Sequence, residues 1–198
     1  MKQIVMFFTL ALTSGSLAQT SVAPFGLTPG MSLVDLLRLG AVQTDSIGIY
    51  TMRNVPVPNA AFDTYFIKAS KTYGLCKIAA STKLNTNDNY GINTKSIFKT
   101  LKDILLQKYG KSIDYDYIGY NSIWKKPEDW LYSIKVEDRI LDSFWSLNLV
   151  TASPYKLNTI GLETNSLDRS NGWVILSYEF SNLALCDKEN KDSSGNGL

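Results

Sequence analysis

The chain has 198 residues, with 20 Lys and Arg against 18 Asp and Glu, two Cys and no His. Without an imidazole there is no Ser-His-Asp or Cys-His nucleophile pair, no His-ligated zinc and no histidine pH switch. A net charge of +2, spread without blocks of like charge, leaves no electrostatic footprint for nucleic acid or an anionic membrane surface, and 44% hydrophobic residues with 19% charged fit one globular domain with an ordinary core.

The amino terminus reads as an export address. Met1-Lys2 is a short basic start, Ile4 to Leu12 is an apolar run, and Ser16-Leu17-Ala18 supplies the small residues that a signal peptidase accepts. Cleavage is expected after Ala18, so residues 1–18 are the signal peptide, residues 19–186 one α+β domain and residues 187–198 a disordered tail. The apolar run falls far short of the roughly 20 residues that span a bilayer, no later segment does so either, and Gln19 stands where a lipoprotein would need Cys. The expected location is therefore periplasmic or secreted, with no transmembrane segment. In that compartment thiols persist as disulfides, and Cys76 and Cys186 allow one intramolecular pairing. Each sits among apolar residues, and a bridge would staple the C-terminal segment to a mid-chain strand, worth up to roughly 4 to 5 kcal/mol in the chain-entropy account.

In chain order, Ser32 with Asp35 three residues on predicts a capped helix carrying Leu33, Val34, Leu36 and Leu37 as its apolar stripe and stopped by Gly40. Phe62 to Ala69 and Leu75 to Ala80 read as a hairpin around Lys71 to Gly74. Asn85 to Asn93 is a polar connector; its Asn and Asp residues have calcium-loop character, but the Gly falls one place late and Ser96 stands where a bidentate Glu belongs, so it reads as a turn. A long helix follows from about Thr94 to Tyr109, with Ile97, Phe98, Leu101, Ile104, Leu105 and Tyr109 on one side, a solvated lysine face on the other and Gly110 as its stop. Trp130 to Val136 and Arg139 to Leu147 read as a second hairpin turning at Glu137-Asp138, and Leu157 to Glu163 with Trp173 to Phe180 as a third. The fold expected is α+β: an antiparallel sheet built from hairpins, helices packed on one face, and a duplicated αβ unit hinted at by Leu36 to Gly40 and Leu105 to Gly110 before their strands.

The segment Pro24-Phe25-Gly26-Leu27, followed by Gly30-Met31-Ser32, resembles uncharacterised exported bacterial proteins that open with a PFGL...GMS sequence. The resemblance continues through Gly74 to Ile78, Lys108-Tyr109-Gly110, Trp124, Pro127 to Trp130, and Tyr178 to Asn182 before Cys186. More distantly, the Gly-Met-Ser start of a short helix ending Leu-Gly is similar to the αβ repeat of the outer-membrane assembly lipoprotein SmpA and of the β-lactamase inhibitory protein. Those are binding modules, so the resemblance implies a fold and a binding role and transfers no site residue.

Candidate chemistry is sparse. Ser122 with Lys125 and Ser153 with Lys156 have S-x-x-K spacing, but the accompanying motifs are missing and Pro154 interrupts the second. Acid pairs for glycoside chemistry are Asp114 with Asp116, Glu128 with Asp129, and Glu137 with Asp138; Asp142 lies inside an apolar strand and needs a partner such as Arg139 or Lys135. Trp124, Trp130, Tyr132, Trp145, Tyr155 and Trp173, with Phe144, concentrate in the second half, and sharing one exposed face they would form a recognition patch. The leading expectation is thus a non-enzymatic module that binds another protein of the envelope or exterior through its sheet face or a strand edge, needing no cofactor and no metal. The alternative is a small secreted hydrolase using carboxylates or a Ser/Lys pair.

Overall fold

The computed structural model describes the backbone over residues 23–150 and 154–195, with side chains over 23–147 and 154–193; the expected signal peptide and its cleavage site lie outside this range. After a tight turn at Pro24–Gly26 come helix α1 (Leu33–Arg38) and strands β1 (Val42–Gln43), β2 (Ile49–Met52), β3 (Phe62–Ser70) and β4 (Gly74–Thr82). Helix α2 (Ile92–Tyr109), strand β5 (Ile113–Ile118), helix α3 (Trp130–Lys135), strands β6 (Arg139–Val150), β7 (Lys156–Ser166) and β8 (Gly172–Phe180), and helix α4 (Leu183–Gly195) complete it. The strands form one antiparallel sheet in the order β1-β2-β3-β4-β8-β7-β6-β5. Two units, each opening with a helix and contributing four strands in meander, the second with α3 inserted between β5 and β6, therefore meet at the β4–β8 pair, in the α+β arrangement expected. The two helix ends compared in the sequence are equivalent: Gly40 and Gly110 both take positive φ (94° and 80°) immediately before β1 and β5. A Cβ at either would meet nothing within 4 Å, so backbone conformation and not space selects glycine there.

Alternation along the strands sorts side chains between two faces. Tyr65, Ile67, Ile78, Ala80, Ile160, Leu162, Trp145, Val174, Leu176, Tyr178 and Phe180 point to one side and join Phe98, Leu101 and Leu105 of α2 in the main core. α3 adds a small cluster of Trp130, Leu131 and Ile134 packed against Leu141. The motif residues near the start serve this packing. Phe25, at φ 57°, makes edge-to-face contacts with Phe62, Tyr65 and Tyr178, and Gly74 lets the backbone of Gly30 and Met31 pass against β4, where a Cβ would come within 2.4 Å of the Met31 carbonyl.

Four expectations need correction. Trp130–Lys135 is a helix, not a strand: Trp130 and Leu131 lie one helical turn before Ile134, the three bury together, and β6 pairs instead with β5 and β7. In α1 the cap is as expected, with Ser32 Oγ accepting from Asp35 N at 3.1 Å, but of the apolar stripe Leu36 is buried and Leu33 half-buried, while Val34 and Leu37 face solvent. In α2, Ile104 is likewise exposed. Residues 187–195 are not a disordered tail; they extend α4, held by an ion pair between Lys68 and Asp187, by Glu189 accepting from Thr72 N at 3.1 Å and by Asn190 donating to the Ala69 carbonyl at 3.1 Å. Composition missed this helix because its partners come from the distant β3–β4 turn. Among the described residues no helix is long and apolar enough to cross a membrane.

Cys76 and Cys186 are buried and meet at disulfide distance, Cα to Cα 6.5 Å, joining α4 to β4 across 110 residues of sequence. Asn182 locks the same junction, donating to the carbonyls of Tyr73 and Leu75 at 2.9 and 3.0 Å. Replacing both cysteines by Ser is expected to cost about 2 to 4 kcal/mol of folding stability. Urea unfolding of the oxidised parent against the double variant checks this, and equal midpoints would exclude a stapling role.

Candidate functional site

The second face of the sheet carries no helix from α2 or α3, and its side chains follow from strand register. One row runs Val42, Thr51, Phe66, Ala79, Ser177, Gly161, Phe144, Ile113 across all eight strands. Its middle is small, and the Phe144 ring lies over Gly161, where a Cβ would sit 3.2 Å from it. The next row runs Ser81, Ile175, Glu163, Asp142, Tyr115, with Trp173 opposite Asn165 beyond it. On the other side Lys77 pairs with Glu179 at 2.7 Å.

Two hollows adjoin on this face. An apolar one of about 430 Å³ is lined by Phe66, Leu84, Leu167, Trp173 and Ile175, with Asp63, Ser81 and Thr82 at its margin. The other, about 420 Å³, holds Asp142 and Glu163 side by side on β6 and β7, rimmed by Lys135, Glu137, Arg139 and Asn165. Ile175 and Glu163, directly opposite each other on β8 and β7, connect them.

Burial pushes the Asp142 carboxyl up to about 6, against a hydrogen bond from Thr164 N that lowers it and with the neighbouring Glu163 raising it. Glu163 is also raised by burial, with Lys77 opposing and Glu179 adding to the shift. The partners expected for Asp142 are engaged elsewhere: Arg139 Nε donates to Ser133 Oγ at 3.1 Å, and Lys135 donates to the Leu167 carbonyl. The relation of Glu163 to Asp142 exists only through the β6–β7 register, so no spacing in the sequence marks it.

The six aromatic residues expected to share a surface are dispersed. Trp145 is 1% exposed and belongs to the core, its indole Nε1 donating to the Gly110 carbonyl at 2.9 Å; Trp130, 7% exposed, anchors α3 beneath the Lys95 ammonium. These two are corrected from surface to core. Trp124 and Tyr132 stack edge-to-face at 4.6 Å with the Arg169 guanidinium over both rings, and Arg169 also pairs with the buried Asp129. Tyr155 lies over Gly30, where a Cβ would come within 2.0 Å of its ring. Of the six, Trp173 lies on the open face.

The remaining sequence candidates separate. Ser122 Oγ accepts from Trp124 N while Lys125 donates to the Tyr120 carbonyl, so this Ser and Lys do not act on each other; Ser153 lies outside the described residues. Asp88 accepts from the backbone N–H of Asn93 and Thr94 at 3.0 and 2.9 Å, which makes it the anchor of the α2 N-terminus. Asp114 is raised by burial but held down to about 2 by hydrogen bonds from Lys102, Ser112 and Ser143. Of the three acid pairs expected, the one that lies in a strand, Asp114 with Asp116, thus has one member already tied to α2. The chain matches no family model, no curated protein and no solved structure.

Two measurements distinguish the roles on the two faces. Trp145→Ala should destabilise by about 3 to 5 kcal/mol and Trp173→Ala by about 1 kcal/mol or less, read as urea midpoints. Because the folded-state pKa of Asp142 lies above its ordinary value of 3.8, the folded protein retains a proton that the unfolded chain loses between about pH 4 and 6. Stability therefore falls as pH rises through that window, and the penalty is complete above it. Asp142→Asn is expected to gain about 1 to 2 kcal/mol at pH 7, after allowing for solvent screening, and next to nothing at about pH 3, below both values; an equal gain at both pH values would remove burial of the charge as the cause.

Proposed function

We propose that this chain is an exported, non-enzymatic binding module that receives a protein partner on the open face of its sheet. The observation that carries the reading is the adjacency of the apolar hollow, floored by Phe66, Trp173 and Ile175, to the Asp142–Glu163 carboxylates. A large apolar side chain fits the first, and a Lys or Arg beside it complements the second, the pairing of buried anchor and charged contact that protein interfaces use. A face with small residues along its middle, Ala79, Ser177 and Gly161, admits a convex surface between the rings of Phe66 and Phe144.

Export and the envelope or exterior as the place of encounter rest on the reading of residues 1–18, and are compatible with the Cys76–Cys186 pair. The binding role agrees with the modules that the Gly-Met-Ser helix start resembles. The hydrolase alternative has a side-by-side carboxylate pair in its favour, Asp142 with Glu163. Against it, burial raises both, Glu163 adds to the Asp142 shift, and no observation separates them into an acid and a base.

The test is site-specific photo-cross-linking with the full chain in its host. A photoreactive phenylalanine at position 66 or 175 is expected to give one discrete adduct, and the same group at position 34 on α1 none. The adduct at 175 should fall about tenfold or more when Trp173→Ala is combined with Glu163→Lys, as for loss of a buried aromatic anchor and its charged neighbour. Adducts of equal yield at all three positions, unaffected by these substitutions, would refute the open face as the binding surface.

A further inference from the structure

We infer that the outer edge of β5 is a docking edge for an extended segment of a protein partner whose side chains alternate basic and apolar. This rests on the binding reading above and specifies how part of such a partner is held. β5 closes one side of the sheet and pairs with β6 alone, whereas the opposite border is the two-residue β1. An edge as short as β1 offers little to a newcomer; along the six residues of β5 the main-chain donors and acceptors that point away from β6 have no backbone partner among the described residues. Among the described residues nothing covers that row: from Ile113 to Tyr117 every residue is exposed although the strand is hydrogen-bonded to β6.

The side chains of β5 state what the incoming strand should carry. On the open-face side stand Ile113, Tyr115 and Tyr117, exposed by 57, 44 and 52%, with Tyr115 edge-on to Phe144 at 5.9 Å. On the opposite side stand Asp114 and Asp116. Asp114 is satisfied by Lys102 at 2.7 Å, while Asp116 has no ion pair among the described residues, and β5 contains no Lys or Arg. A neighbouring strand matches this pattern when its apolar residues lie beside Tyr115 and Tyr117 and a Lys or Arg lies beside Asp116, since opposite charges in cross-strand positions attract. A second copy of β5 does not match. In the antiparallel register that overlaps residues 113–117 fully and keeps the two apolar faces together, Asp114 of each chain opposes Asp116 of the other, and like charges directly opposite are destabilising.

The experiment uses the full chain and a fluorescent hexapeptide alternating Lys with Val, Tyr and Val. The same residues in block order, and an alternating peptide with Glu in place of Lys, serve as controls. The alternating Lys peptide is expected to bind tighter than both and to slow hydrogen exchange of the amides of residues 113–118. Asp116→Lys is expected to weaken that peptide about three- to fivefold and to favour the Glu peptide by a similar factor, the scale of one exposed charge contact. Equal affinity for alternating and block peptides, unchanged preference in Asp116→Lys, or a β5-mediated dimer in light scattering would each overturn the inference. Cross-linking at 66 and 175 that survives Asp116→Lys while the peptide shows no preference removes the edge and retains the open face; peptide preference without those adducts does the reverse.

Discussion

The structure depends on the antiparallel pairing of β4 with β8. That pairing joins two meanders that neither local propensity nor chain proximity would bring together, since Lys77 and Glu179 are separated by about a hundred residues. Once β4 and β8 are side by side, their inward residues Ile78, Ala80, Leu176 and Tyr178 form the middle of the core, and α2 has a continuous apolar surface to cover. The Cys76–Cys186 junction and Asn182 reinforce the same region from the end of β4, so covalent, hydrogen-bonded and hydrophobic contributions converge on one seam.

The same pairing creates the uncovered face. Strand periodicity obliges every second residue to turn away from the core, and across eight strands this produces an extended surface that no single strand could supply. Along that surface the residues change character with distance from the seam: Ala79, Ser177 and Gly161 near it, Phe66 and Phe144 farther out, Val42 and Ile113 at the borders. Asp142 and Glu163 sit on this face with their carboxyls raised by burial, a cost in solvation that a partner's cation would offset in the binding reading proposed above.

Much of the local architecture could be read along the chain. The Ser32 cap, the glycine stops at 40 and 110, the β3–β4 and β7–β8 hairpins and the apolar side of α2 each depend on neighbours within a few residues. Trp130 to Lys135 misled because six residues mixing aromatic and aliphatic side chains suit a short strand or a short helix equally, and burial against Leu141 decides between them. The alternation in Ile-Asp-Tyr-Asp-Tyr-Ile is a local strand signal, but only pairing with β6 on one side makes β5 the border strand. The dispersed tryptophans show the same limit: Trp145 and Trp173 look alike in sequence, and opposite parity on their strands sends one into the core and the other to the open surface.

By itself the sequence determined the catalytic groups that are missing, the α+β class, the helix boundaries set by caps and glycines, and two cysteines free to pair only with each other. These are matters of composition and of contacts a few residues apart. Which carboxylates become neighbours, which aromatics reach solvent, and that the strand at the border is β5 were decided by tertiary structure alone. The physical reason is that cross-strand register couples residues 20 to 100 positions apart, and no local pattern encodes that coupling.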